Sequence, residues 1–155
     1  MTTFEEFTML AEQGTFVPVC KEIAADLLTP VSAFMKIAEH CEYCFLLESV
    51  GGGERSARYS FLGKDPFLVL RSRQGRTITD RNGVRTESKR KFIDTLREVM
   101  TELKAPTVTG LPRFTGGAVG YMGYDTAAWF ENVPLKEGAS GEDDAGFMVC
   151  DTVLA

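Results

Sequence analysis

The chain has 155 residues and a net charge of −5, with 44% hydrophobic, 25% charged and 10% aromatic residues. Those proportions exclude intrinsic disorder, and 15 Gly with 6 Pro exclude a collagen-like or low-complexity polymer. The length suits one domain, and so mild an acidity offers no field to gather nucleic acid or an anionic membrane surface.

Thr3-Phe4-Glu5-Glu6 has the pattern of a capping box, so a first helix is expected, stopped by Gly14. Thr15 to Ile23 alternates in part and is expected as a short edge strand, since Pro18 removes a ladder donor. Thr29-Pro30 predicts a second helix start, with Val31, Phe34, Met35 and Ala38 as its apolar face. Tyr43 to Val50 is a predicted strand that runs into Gly51, Gly52 and Gly53. Tyr59 to Gly63 and Phe67 to Leu70 predict two more strands. Gln74-Gly75 and Asn82-Gly83 are hairpin signals, because both dipeptides tolerate the positive φ of a type I′ turn.

From Ser88 to Leu103, the residues Phe92, Leu96, Val99, Met100 and Leu103 recur at helical spacing and predict a third helix. A loop bracketed by Pro106 and Pro112 leads to a glycine-rich strand over Phe114 to Tyr124. Leu135 to Gly146 reads as an exposed acidic loop, and Phe147 to Leu154 as one apolar strand. Hairpin-linked strands with helices set between them give an α+β class: a mainly antiparallel, sandwich-like sheet with about three flanking helices. A chain that stops inside an apolar strand is expected to be a truncated part of a larger fold, and exposed sheet there would favour a homo-oligomer. No run approaches the ~18 apolar residues of a membrane span, and the N-terminus lacks a basic leader, so a cytoplasmic protein without membrane contact is expected.

The cysteines are Cys20, Cys41, Cys44 and Cys150, and His40-Cys41-Glu42-Tyr43-Cys44 contains a CxxC. A structural zinc wants a second pair at similar spacing, and a thioredoxin-like site wants the CxxC to open a helix after a strand. Here the motif closes a helix and opens a strand, which favours reduced structural thiols over metal or redox catalysis. The stretch Thr115 to Gly123 has neither the Gly-x-Gly-x-x-Gly spacing nor a following Lys-Ser/Thr, so its glycines read as close backbone packing. His40 is the lone histidine, nothing beside it suggests a nucleophile, and the aspartates are scattered, so no catalytic or metal constellation emerges.

The most distinctive string is Phe45-Leu46-Leu47-Glu48-Ser49, followed by the glycine turn and then Arg58-Tyr59-Ser60-Phe61-Leu62-Gly63. Glu48 can bind an ammonium group, Ser49 offers a hydroxyl, and a strand end offers backbone donors and acceptors, the set an amino acid's zwitterion needs. The plainer alternative is a strand end whose Glu48 pairs with Arg55 or Arg58.

LLTPVSAF, FLLES, GER with RYSFLG, and LPRFTGGAVGYMGYD occur in that order, and together they resemble the N-terminal region of anthranilate synthase component I. Gly52 departs from the family's frequent ESVEGGER. The resemblance implies that residues 1–155 are the N-terminal, regulatory part of an enzyme that makes anthranilate from chorismate and ammonia. That enzyme uses Mg²⁺, takes its ammonia from a glutaminase subunit and is inhibited by tryptophan. It further implies that the catalytic chorismate-binding domain is absent here and that this part alone is inactive. By the same resemblance Leu47, Glu48 and Ser49 match the inhibitor-contacting segment, Pro30 matches a proline lining it, and Tyr59 and Ser60 fall where further contacts lie. The alternatives are aminodeoxychorismate synthase component I of folate synthesis, and a stand-alone amino-acid-binding regulatory module.

Overall fold

The computed structural model describes residues 2–48, 59–134 and 141–155. The chain divides into two compact units, one formed by Met1–Pro66, Met100–Gly117 and Cys150–Ala155, the other by Phe67–Val99 and Ala118–Val149.

In the first unit, helix α1 (Phe4–Ala11) starts at the predicted capping box. Thr3 Oγ1 accepts from the Glu6 backbone N–H, and the Thr3 N–H donates to Glu6 at 2.8 Å. Helix α2 (Pro30–Ala38) starts the same way, with Thr29 accepting from Ser32 N–H and Pro30 in the first turn. Its buried residue is Ala33, while Val31 and Met35 are exposed, so its inward face is rotated from the predicted stripe. The edge strand expected over Thr15 to Ile23 does not form. The N–H groups of Thr15 and Phe16 both donate to the Lys104 carbonyl instead of alternating along a ladder, and Pro18 has no N–H to continue one. Gly14 permits this approach, because a Cβ there would lie 2.3 Å from the Lys104 oxygen.

Strands β1 (Cys44–Glu48) and β2 (Ser60–Lys64) pair antiparallel with Cys44 opposite Lys64 and Glu48 opposite Ser60. Strand β2 also pairs with β8 (Val153–Leu154), giving the order β1-β2-β8, and α2 packs against β1 and β2.

The second unit is built around β3 (Leu68–Arg73), β4 (Arg76–Arg81) and β5 (Val84–Ser88), in a five-stranded order β5-β4-β3-β7-β6 with β6 (Gly117–Met122) and β7 (Ala145–Cys150). Both hairpin dipeptides adopt left-handed conformations at each residue: φ is 51° and 72° at Gln74-Gly75, and 51° and 79° at Asn82-Gly83. Positive φ at both turn residues matches the right-handed strand twist, and the residues flanking each turn are in register, Arg73 with Arg76 and Arg81 with Val84. Strand β3 is covered on both faces, with Leu68 and Leu70 at 0% exposure on one and Val69 at 8% on the other, as its central place in the sheet requires. Helix α3 (Phe92–Glu102) buries Phe92 and Val99, and the Phe92 ring meets Trp129 and Phe147 at 5.8 and 6.0 Å.

Three boundaries differ from expectation. The glycine-rich strand ends at Met122, and Tyr124–Trp129 turns into a 3-10 helix because Thr126 returns both its N–H and its hydroxyl to the Gly123 carbonyl. The acidic loop is anchored where it is described: Asp143 pairs with Arg73 at 2.6 Å, and Asp144 accepts from the Ser72 hydroxyl while its N–H donates to the Ser72 carbonyl. The final apolar segment is two strands in two sheets, broken at Asp151-Thr152. Strand β7 has β3 and β6 on its two sides, and Val149 and Cys150 are buried, so this part of the segment does not await outside sheet. The glycines pack closely as expected, since a Cβ on Gly120 would lie 2.0 Å from the Gly146 oxygen.

Candidate functional site

The predicted site residues fall at one end of the β1–β2 ladder. Leu47 and Glu48 close β1, Ser60 opens β2, and Tyr59 precedes it. Ser49 lies outside the described residues, as do Arg55 and Arg58, the alternative partners for Glu48. Pro30 enters from the first turn of α2 and is exposed. The register makes Glu48 and Ser60 direct neighbours, and the Ser60 hydroxyl donates to Glu48 Oε1 at 3.2 Å. Leu47 faces Phe61 in the same register, and Tyr59 stacks on Phe61 with centroids 6.1 Å apart.

The pleat sorts these residues onto two faces. Successive side chains point to opposite sides of a strand, so Glu48 and Ser60 share one face with Leu46 and Leu62. Leu47 shares the other with Phe45 and Phe61, whose rings both make edge-to-face contacts with Phe114, at 6.2 and 5.4 Å. A ligand touching both sets therefore has to sit at the strand ends, where both faces and the terminal backbone groups are within reach. Leu47 and Tyr59 are 42% and 39% exposed, which leaves apolar area available at that end.

Two cavities lie elsewhere, and neither is lined by the predicted site residues. One of about 490 Å³ in the first unit is lined by Phe16 to Cys20, Phe114 and the β8 region. One of about 460 Å³ in the second unit is lined by Arg90, Lys91, Phe92, Trp129 and Phe130. Sequence reasoning missed both, because each is assembled from segments far apart in the chain. The Phe114 ring that braces β1 and β2 was missed for the same reason.

The thiols of Cys20, Cys41, Cys44 and Cys150 are all free. Burial and the neighbouring Cys41 thiol push Cys44 up, and burial pushes Cys150 up to about 11. Among the described residues no three His, Cys, Asp or Glu side chains converge on a common point that could hold a metal ion. No described helix is long and apolar enough to cross a membrane.

The chain is 42% identical over 154 residues to an anthranilate synthase component 1 of Acetivibrio thermocellus, covering 98% of this chain and 31% of that protein. The corresponding Pseudomonas aeruginosa protein is 41% identical over 160 residues, covering 97% and 32%. In the crystal structure of anthranilate synthase component I from Streptococcus pneumoniae, 87% of this chain superposes with a TM-score of 0.50 at 29% identity. The chain matches a segment of anthranilate synthase component I. It spans about a third of the length of these component I proteins, and the superposition likewise covers 28% of the crystallised chain. No family model matches it. The α+β architecture with antiparallel sheets is thus that of a portion of component I.

Proposed function

We propose that this chain is the N-terminal regulatory region of an anthranilate synthase component I, the enzyme that converts chorismate and ammonia to anthranilate, and that it provides the tryptophan feedback site. The observation that carries this reading is the pairing of Glu48 with Ser60 at the ladder end beside exposed Leu47 and Tyr59, within a chain about 40% identical to component I proteins. One Glu48 oxygen accepts from Ser60, which orients the carboxylate and leaves its second oxygen for an ammonium group. Leu47 and Tyr59 offer apolar contact for an indole, and by the resemblance Ser49, outside the described residues, supplies a hydroxyl for the ligand's carboxylate. By the resemblance Pro30, exposed in the first turn of α2, is a further contact for the ligand.

Relatives named anthranilate synthase support the tryptophan pathway over folate synthesis and over a stand-alone module. In the complete enzyme the ammonia comes from a glutaminase subunit, and the protein is cytoplasmic. Mg²⁺ belongs to that enzyme's chemistry, and the described residues include no group of three or more His, Cys, Asp or Glu side chains that could hold it.

Equilibrium dialysis of labelled tryptophan against the complete component I enzyme tests the reading. Glu48→Ala removes the ammonium partner and is expected to weaken binding by about 1.5–3 kcal/mol, roughly ten- to a hundred-fold. An unchanged dissociation constant would remove Glu48 from the site.

A further inference from the structure

We propose that strand β5 is a self-pairing edge, where a second copy of this chain adds antiparallel and joins two five-stranded sheets into one. Strand β5 ends the second unit's sheet on one side, and all five of its residues, Val84 to Ser88, are exposed. The two-residue turn at Asn82-Gly83 makes Arg81 and Val84 a hydrogen-bonded pair, so Thr86 and Ser88 also turn their backbone groups toward β4. The turn at Gln74-Gly75 gives the same answer from the other side. It turns the backbone of Arg76, Ile78 and Asp80 toward β3, which leaves Thr77, Thr79 and Arg81 for β5. The N–H and C=O groups of Arg85 and Glu87 therefore point outward, where the sheet has no further strand among the described residues.

Charged side chains on an edge strand ordinarily oppose pairing. Here the two are opposite in sign and two residues apart, so they fit each other about a two-fold axis through Thr86. In that register Arg85 meets the partner's Glu87 and Glu87 meets the partner's Arg85, each pair exchanging both backbone hydrogen bonds. Glu87 already pairs with Arg76 at 2.9 Å, and Asp80 stands opposite Arg85 in β4. One face of the joined sheet then carries Arg76, Glu87, the partner's Arg85 and the partner's Asp80 in alternating sign. Centring the axis on Arg85 or on Glu87 would set like charges opposite one another, so the charges fix the register. The contact is isologous and closes at a dimer, because it occupies the β5 edge of both copies. A contact confined to two short strands is small, which makes the dimer weak and salt-sensitive. The proposal does not depend on the tryptophan reading.

The test is sedimentation equilibrium of the protein over a concentration series, with circular dichroism confirming the fold of each variant. Arg85→Glu and Glu87→Arg each turn the opposite-charge pairs into like-charge pairs, and each is expected to weaken self-association roughly ten-fold. The two variants complement each other, so their mixture is expected to dimerise as wild type does. Thr86→Cys gives a readout that does not depend on charge. A non-hydrogen-bonded antiparallel pair holds its Cα atoms about 4.5 Å apart, within disulfide reach, so this variant should link to its own copy at residue 86 under mild oxidation. Val84→Cys, which faces the partner's Ser88, should not. Wild-type protein that stays monomeric at every concentration would overturn the proposal, as would single charge variants that associate like wild type. So would Arg85 and Glu87 amides already protected from hydrogen exchange in the monomer, since the protein's own chain would then cover the edge.

Discussion

Gly120 shows how one missing Cβ sets a sheet. Any side chain there would meet the Gly146 oxygen at 2.0 Å and the Phe147 Cα at 2.6 Å, both backbone atoms that cannot yield without moving β7. Gly120→Ala is therefore expected to destabilise the fold by about 2–4 kcal/mol, a backbone clash being among the costly mechanisms of single substitutions. Urea unfolding read by circular dichroism measures it, and a midpoint equal to wild type would contradict the packing. Cys150 gives a pH dependence of definite sign. Its thiol is raised from 9.0 to about 11 in the fold, mainly by burial, and Cys44 moves the same way. Above pH 9 the unfolded chain loses these protons while the folded chain keeps them, so stability falls as pH rises from about 9 to 11. Unfolding midpoints at pH 8 and pH 10.5 check this, and the drop should shrink in Cys150→Ala.

At the scale of elements, local chemistry was legible and long-range partnership was not. The Thr3 capping box, the Thr29-Pro30 helix start and the two hairpin dipeptides were readable because Thr-x-x-Glu, Thr-Pro, Gln-Gly and Asn-Gly act within four residues. The failed strand at Thr15 to Ile23 was not, since its first two N–H groups are claimed by Lys104, almost ninety residues away. The same holds for the last apolar run, where hydrophobicity marks strand but cannot tell that β7 pairs with β3 and β8 with β2. In the candidate site, the residue types were legible in the Leu-Glu-Ser string. Their division between two faces of the β1–β2 pair followed only from the register, and the Phe114 brace only from the fold. Replacing the α2 cap by Thr29→Ala is expected to cost about 1 kcal/mol, lowering the thermal midpoint by a few degrees. An unchanged midpoint would show that the cap contributes nothing once α2 is docked.

For the whole molecule, the central issue is what a segment spanning about a third of its relatives' length can do. Spanning about a third of those relatives, the chain by itself is expected to give no fluorescent anthranilate from chorismate, Mg²⁺ and ammonium. Product scaling with protein concentration would contradict that. Val19, Ile23, Leu27 and Met35 are 60% or more exposed, an apolar area that favours association of the isolated chain into a dimer or larger assembly. Sedimentation at micromolar concentration decides it, with a concentration-independent monomer as the contrary result. The claim on which the functional account stands is that the end of the β1–β2 ladder governs tryptophan inhibition. The most direct measurement is the tryptophan inhibition curve of the complete enzyme carrying Ser49→Phe. Replacing the Ser49 hydroxyl by a bulky ring should weaken inhibition roughly ten- to a hundred-fold, about 1–3 kcal/mol, with uninhibited turnover largely kept. A wild-type inhibition curve in that variant would place the feedback site elsewhere.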